Sequence, residues 1–420
     1  MKILVIPSST EVAFEVIRSL KDIKNIDIYG ANTICAYSEL PKNKCVTGIP
    51  YIDAESFIPS IQDLIEKNNI THIFPAHDSA SLKLTQNANK LNAKVISSSF
   101  ITNNIARSKR STYEVLKGIV RVPKLYNKED VLPFPLFVKP DVGQGSVGTF
   151  KLNSQKDIEK VTTNDLICEF LPGDEYTVDC ISDSKGKLLD ASPRKREAMR
   201  NGIAVATSLV KDKLEFIEFA EKINSVINFK GAWFFQVKRD SDNQLCLLEF
   251  ATRIAGSMIT SRFNGINYAE LSLLIAEDIP VSTITNHLDV TLYRNLSYQF
   301  ETDLDYDTIY SDFDDCLIFG DKVNTDLVKL FFIARNDGKK VHLITRHNGN
   351  LQEKLRTLRL IGLFDSIIHI TDGTSKSNYI NPKNAIFIDD SFRERYDVRK
   401  VHNIPCFSVD MIKGLTCLKN

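Results

Sequence analysis

Residues 134–149 read FPLFVKPDVGQGSVGT, and this stretch sets the terms for the rest of the chain. A short apolar strand (Leu136, Phe137, Val138) runs into Lys139 and Pro140, and Gly143, Gly145 and Gly148 follow, with Ser146 among them. Glycine tolerates positive φ and lets backbone N–H groups come close to a ligand, so strand, lysine and glycine-rich turn suit a polyphosphate. Read alone, the stretch also fits a flexible hairpin turn with one surface lysine. The lysine precedes the glycines, which excludes both GxxxxGK[ST] and GxGxxG. The flanking segments decide between the readings.

A chain of 420 residues exceeds one ordinary core, so two to four domains are expected. Hydrophobic residues at 43% and charged residues at 25% describe a soluble globular protein. Lys+Arg and Asp+Glu are equal at 53 each, so no global field favours nucleic acid or an anionic membrane as partner. The opening MKILVIPSST reads as a β-strand rather than a signal peptide. Eight cysteines (Cys35, Cys45, Cys168, Cys180, Cys246, Cys316, Cys406, Cys417) show no CxxC spacing. Reduced, mostly buried thiols in a cytoplasmic protein are expected.

Residues 1–100 alternate strands (KILVIP, DIYGAN, THIFPA, AKVISS) with amphipathic helices (EVAFEVIRSLK, SFIPSIQDLIEKNN), the pattern of a parallel sheet covered on both faces. Thr10 is expected to cap the first helix. His77 and Asp78 end a strand, where open α/β sheets place ligands, and they equally suit capping of the next helix. Residues 101–118, ITNNIARSKRSTYEVLKG, read as one helix bearing Lys109. Two strands flanking Ser184-Lys185-Gly186 begin an antiparallel sheet, followed by a basic run with Arg194, Lys195, Arg196 and Arg200. That run fits a solvated face or an anion clamp. Residues 231–256 read as a hairpin about Asp240–Asn243. Pairing Arg239 with Gln244 puts Gln236 opposite Leu247 and diagonal to Glu249, near enough for the two to share a cation.

Together these residues resemble the ATP-grasp superfamily, near its carbamoyl-phosphate-synthase and carboxylate–amine ligase branch, over about residues 1–290. The resemblance implies that Lys109 and Lys139 hold the ATP phosphates beneath the loop Gly143–Gly148. It implies a hinge at Ile167–Leu171, including Glu169, Phe170 and Leu171, that reads adenine and ribose, with Glu175 downstream. The family pattern Glu-x-Asn-x-Arg stands here as Glu249–Arg253. Gln236 and Glu249 would share the metal, Arg253 would hold phosphate, and Arg194 and Arg196 would approach the acyl phosphate or acid. Ala251 replaces the usual asparagine and brings no oxygen for a cation.

Beyond the acidic segment 302–307, strands end in Asp312-Phe313-Asp314-Asp315, in Thr345 and in Asp389-Asp390, and Lys376 lies between the last two. Polar groups at the C-terminal ends of strands mark the active edge of an α/β sheet. The pattern is similar to the haloacid-dehalogenase-like phosphatases over about residues 306–420. It implies Asp312 as nucleophile, Asp314 as general acid and base, and Thr345 and Lys376 steadying the phosphoryl oxygens. Asp312, Asp389 and Asp390, with Asp314 counted among them, would hold Mg²⁺ or Mn²⁺. Cys316 stands where threonine is usual. About thirty residues separate Asp314 from Thr345, and Thr345 from Lys376, too few for a sizeable cap domain.

The expectation is thus an α/β multidomain chain: an N-terminal parallel α/β domain (1–100), ATP-grasp α+β domains (101–300) and a C-terminal Rossmann-like capless phosphatase domain (306–420). The expected function is an ATP- and magnesium-dependent ligase joining a small carboxylate, such as an amino acid, to an amine, fused to a phosphatase. A nucleotide-binding regulatory protein with a degenerate site is the alternative, favoured by Ala251, and a kinase-like enzyme a third. Oligomeric state is left open, a homodimer included.

Overall fold

The computed structural model describes residues 1–34, 37–143, 145–200, 202–295, 300 and 302–418. Cys35 and Gln144, the latter inside the glycine-rich loop, lie outside the described residues. The chain divides into two compact units, Met1–Asn295 and Leu296–Asn420. Among the described residues no helix is long and apolar enough to cross a membrane. The seven described cysteines are all unpaired, and Cys168, Cys180, Cys246 and Cys316 are buried.

The first unit opens with strands β1 (Lys2–Ile6), β2 (Asp27–Ala31), β3 (Cys45–Val46), β4 (His72–Pro75) and β5 (Lys94–Val95). They form a parallel sheet in the order β3-β2-β1-β4-β5, as the alternation of strands and helices predicts. Ile3, Leu4 and Val5 are fully buried because both faces of a parallel sheet are covered. The first helix, Glu11–Leu20, is capped by Thr10, whose side chain accepts from the Ala13 amide.

The segment 101–118 is not one helix. It forms Phe100–Arg107 and Lys109–Leu116, broken at Ser108, which has extended backbone. The Ser108 hydroxyl accepts from the Ser111 amide and donates to Asp141, so the break starts a new helix whose first residue is Lys109. Serine competes with helical backbone for hydrogen bonds, a tendency that helical periodicity does not reveal.

Two antiparallel sheets follow. Strands β6 (Leu125–Tyr126), β7 (Leu136–Pro140), β8 (Phe150–Leu152) and β9 (Asp165–Glu169) are ordered β6-β9-β7-β8. Strands β10 (Glu175–Ser182), β11 (Leu188–Arg200), β12 (Ile203–Leu209), β13 (Gly231–Arg239), β14 (Leu245–Ala251) and β15 (Thr291–Tyr293) are ordered β14-β13-β10-β11-β12-β15. Side chains alternate across this larger sheet. On one face Val178, Cys180, Trp233, Phe235 and Val237 pack on Phe216, Phe219 and Ile223 of the helix Leu214–Val226. The other face is split along its length. Ile181, Ala232, Phe234 and Ala251 belong to the cluster that includes the helix Tyr268–Ala276, which packs on β13 and on the first helix, whereas Glu175, Arg196, Gln236 and Glu249 line a cavity.

Within the covered half, Arg194 and Asp179 are 2% and 0% exposed and form a two-pronged ion pair of 2.8 and 3.0 Å. Ser261 donates to the same carboxylate at 3.2 Å. Asp179→Ala leaves a buried guanidinium unpaired, and we expect a loss of about 3–5 kcal/mol in denaturant unfolding of the first unit.

The second unit contains β16 (Thr308–Ser311), β17 (Ile318–Phe319), β18 (Lys322–Val323), β19 (Lys340–Thr345), β20 (Ser366–His369), β21 (Ala385–Ile388) and β22 (Cys406–Phe407). Five of these form a parallel sheet in the order β20-β19-β16-β21-β22. The remaining two, β17 and β18, form a small ribbon just after Asp314. Its central strand β16 is fed on both sides, so the ends of β16, β19 and β21 converge on one edge.

Candidate functional site

In the first unit, one pocket is lined from both antiparallel sheets. Phe137 and Lys139 come from β7, Cys168 and Glu169 from β9, and Phe170 and Leu171 follow. The opposite wall is Glu175, Arg196, Gln236, Lys238, Leu248 and Glu249, with Lys109 between and Gly143, Gly145, Ser146 and Thr149 above. Phe137, Leu171 and Leu248 give one end an apolar character suited to a flat ring. The other end gathers cations.

Lys139 is 6% exposed. Its Nζ donates to the Tyr113 hydroxyl at 2.5 Å and to the Leu248 carbonyl at 3.4 Å. Burial holds this lysine below the ordinary lysine range. Lys109 Nζ lies 3.4 Å from Glu249 and 3.4 Å from the Gly143 carbonyl. Arg196 donates to Glu175 at 2.6 Å, to the Gln236 carbonyl oxygen at 3.0 Å and to the Gly202 carbonyl at 2.7 Å. Its Nε is buried and has no partner among the described residues. A buried N–H without an acceptor is costly.

The register of the β13–β14 hairpin differs from the expected one. Arg239 pairs with Leu245 and Val237 with Leu247, and then a bulge at Leu248 brings Gln236 directly opposite Glu249. Directly opposed residues have Cβ atoms about 4.5–5.5 Å apart, closer than the diagonal expected from the turn. The bulge also frees the Leu248 carbonyl to accept from Tyr113 at 2.7 Å and from Lys139.

Three expected residues have other partners. Arg194 is committed to Asp179 in the covered half of the sheet, so its expected place beside an acyl phosphate is corrected to a buried structural ion pair. Arg253 forms a two-pronged ion pair of 2.6 and 2.9 Å with Asp78 and does not line the pocket. Burial alone would raise the Asp78 carboxyl, but Arg253 outweighs it and holds the group below the usual range. Glu169 receives two bonds from Arg121 and one from the Lys124 amide. Its carboxylate is thus committed to protein partners on the β9 edge of the pocket.

Sequence reasoning also missed residues. Arg121 ties Glu169 to Asp240, and Tyr113 seats Lys139. Gly202 has φ +75°, and a Cβ there would lie 2.3 Å from the Gly145 carbonyl oxygen. The turn after β11 therefore packs directly on the glycine-rich loop, and only glycine permits that approach.

In the second unit, Asp312 follows the end of β16, Thr345 ends β19, and Asp389 and Asp390 follow β21. Carboxylate oxygens of Asp312, Asp389 and Asp390 lie within 4.8 Å of one another. Lys376 Nζ donates to Asp312 at 2.6 Å and to Asp389 at 2.7 Å. Burial, then the neighbouring Asp389, raises the Asp312 carboxyl above the ordinary range. Three carboxylates facing one ammonium leave an excess of negative charge, and an all-oxygen donor set suits a hard divalent cation such as Mg²⁺ or Mn²⁺. Asp314, also expected as a metal ligand, stands apart from this cluster. Both of its oxygens lie 2.9 Å from His347 Nδ1. Thr345 is buried and its hydroxyl accepts from the His347 amide at 3.0 Å. Cys316 is buried within 3.9 Å of the Ser311 hydroxyl and of the Ile388 carbonyl.

Comparison with known proteins bears on the first unit. Residues 162–297 match a family model described as ATP-grasp in the biosynthetic pathway with Ter operon. A D-alanine–D-alanine ligase of Thermotoga maritima is 28% identical over 122 residues, which is 25% of this chain and 40% of that protein. The match thus spans well under half of that relative's length. The fold is similar to biotin carboxylase from Campylobacter jejuni, with TM-score 0.57 and 18% identity over 68% of this chain and 73% of that one. It is also similar to N5-carboxyaminoimidazole synthetase from Staphylococcus aureus in complex with ADP, with TM-score 0.56 and 17% identity over 68% and 79%. With two antiparallel sheets lining a cationic pocket beside a parallel N-terminal sheet in its first unit, the chain is an α/β multidomain protein with an ATP-grasp-like fold in that unit.

Proposed function

We propose that the first unit is an ADP-forming ligase that joins a small carboxylic acid to an amine through an acyl phosphate. The observation that carries this reading is the direct opposition of Gln236 and Glu249 in a pocket that is also lined by Lys109, Lys139 and Arg196. ATP would lie with its ring between Phe137 and Leu248 and its phosphates at the cationic end. A carboxylate oxygen of the acid attacks the γ-phosphorus and the bond to ADP breaks. The amine nitrogen then attacks the acyl carbon, phosphate leaves, and the amine gives up its proton to solvent. The lysines and Arg196 neutralise the charge that moves between these oxygens, and no side-chain nucleophile is required. Gln236 and Glu249 would hold a divalent cation that screens the triphosphate. Ala251 is buried among Phe234 and Ile254, so it adds no ligand, and we assign one cation rather than two to this wall.

The second unit we read as a phosphatase acting on small metabolites of the same pathway. An Asp312 oxygen attacks the substrate phosphorus, and the leaving oxygen takes a proton from Asp314. Water then attacks the aspartyl phosphate, gives its proton to Asp314, and releases phosphate and free Asp312. Lys376 and Thr345 steady the phosphoryl oxygens. Asp312, Asp389 and Asp390 would hold a cation that offsets their mutual repulsion and that of the phosphate.

ADP release from Mg²⁺-ATP across pools of amino acids and other small carboxylates tests the ligase. EDTA is expected to abolish both this activity and phosphate release, and added Mg²⁺ or Mn²⁺ to restore them. Retention of both activities in EDTA would contradict the cation sites.

A further inference from the structure

We infer that His347 is a positioning residue for Asp314, holding the acid/base carboxyl toward the leaving group; the inference rests on the phosphatase reading of the second unit. His347 lies two residues beyond Thr345, at the mouth of the edge where β16, β19 and β21 end. Its Nδ1 is 2.9 Å from each Asp314 oxygen, so Nδ1 carries the hydrogen and donates to both. The backbone of His347 is held at two points and its ring at a third. Its amide donates to Thr345 Oγ1 at 3.0 Å, its carbonyl accepts from His369 Nε2 at 2.8 Å, and its ring meets Phe313 edge-on with centroids 5.2 Å apart.

Asp314 needs such support. Its side chain is 46% exposed, it stands on the turn between β16 and the β17–β18 ribbon, and Asp315 beside it has φ +53°. Without a partner, an exposed carboxyl on a turn samples several rotamers, and only some bring an oxygen to the leaving group. The histidine links Asp314 to the strand that carries Thr345, so acid and phosphoryl-binding hydroxyl share one support. Neighbouring Arg346 turns elsewhere, to Glu394 at 2.6 Å and to the Thr374 carbonyl at 2.9 Å, and so braces the loop that precedes Lys376. That division of labour makes the histidine specific to Asp314.

The test uses the full chain and two probes that differ in leaving group. An alkyl phosphate such as glycerol phosphate needs a proton on its departing oxygen, whereas p-nitrophenyl phosphate releases a stable phenolate without one. The value of kcat/KM reports the first phosphoryl transfer for both. His347→Ala is expected to lower it about 10–100-fold for the alkyl ester and about twofold or less for the nitrophenyl ester. His347→Asn, whose amide N–H can replace Nδ1–H, is expected to recover most of the loss. Equal losses for both esters would mark a merely structural histidine and overturn the proposal, as would full activity of His347→Ala on the alkyl ester. If the wild-type chain shows no hydrolysis that Asp312→Asn removes, the phosphatase reading fails, and this inference with it.

Discussion

Asp312→Asn is expected to abolish phosphate release from phosphate monoesters by the full chain in the absence of ATP, a loss on the order of 10⁴-fold or more in kcat. The amide cannot form an aspartyl phosphate, and it also removes the charge of one of three carboxylates whose oxygens cluster within 4.8 Å. Lys376, now bonded to Asp312 and Asp389, keeps Asp389 as a partner, so the variant should remain folded. Phosphate release with unchanged circular dichroism separates loss of chemistry from loss of structure. Wild-type activity in Asp312→Asn would remove this carboxylate from the reaction.

Lys139→Ala is the second large effect. The substitution takes away a buried cation that lines the cavity and that burial holds below the ordinary lysine range. A phosphate beside it would favour the charged form and offset the cost of its burial. We expect ATP-dependent ADP formation to fall about 10²–10³-fold. Tyr113 keeps its own bond to the Leu248 carbonyl, so the pocket wall should persist. Normal ADP formation in the variant would mean that the phosphates lie elsewhere.

Much of this architecture is legible in the sequence because it rests on periodicity. Strands and helices alternate plainly over the first hundred residues, and apolar runs ending in Asp312, Thr345 and Asp389 announce the strand ends of the second sheet. The glycine-rich turn after Lys139 and the β13–β14 hairpin are local patterns, and the pocket brings them together.

What escaped depends on contacts far apart in sequence. Arg194 and Arg196 are two residues apart on one face of β11, and nothing local separates them. One is buried and paired with Asp179, while the other borders the pocket. The bulge at Leu248 shifts the pairing by one residue, and neither flank carries a glycine to signal it. Tyr113 and Arg121 read as ordinary helix and loop residues until tertiary folding sets them beside Lys139 and Glu169. The histidine beside Asp314 comes from another strand's loop, and a lone histidine carries no signal of its own.

The ligase assignment is most directly tested by the product. The full chain, Mg²⁺-ATP and paired pools of small carboxylic acids and amines should yield ADP, phosphate and a new species whose mass is that of one acid plus one amine less one water. With Lys139→Ala its formation should fall in step with ADP, about 10²–10³-fold. Tight nucleotide binding with no amide from any pair would contradict the account, and the substitution of alanine at position 251 would then mark a site that binds nucleotide without turning it over.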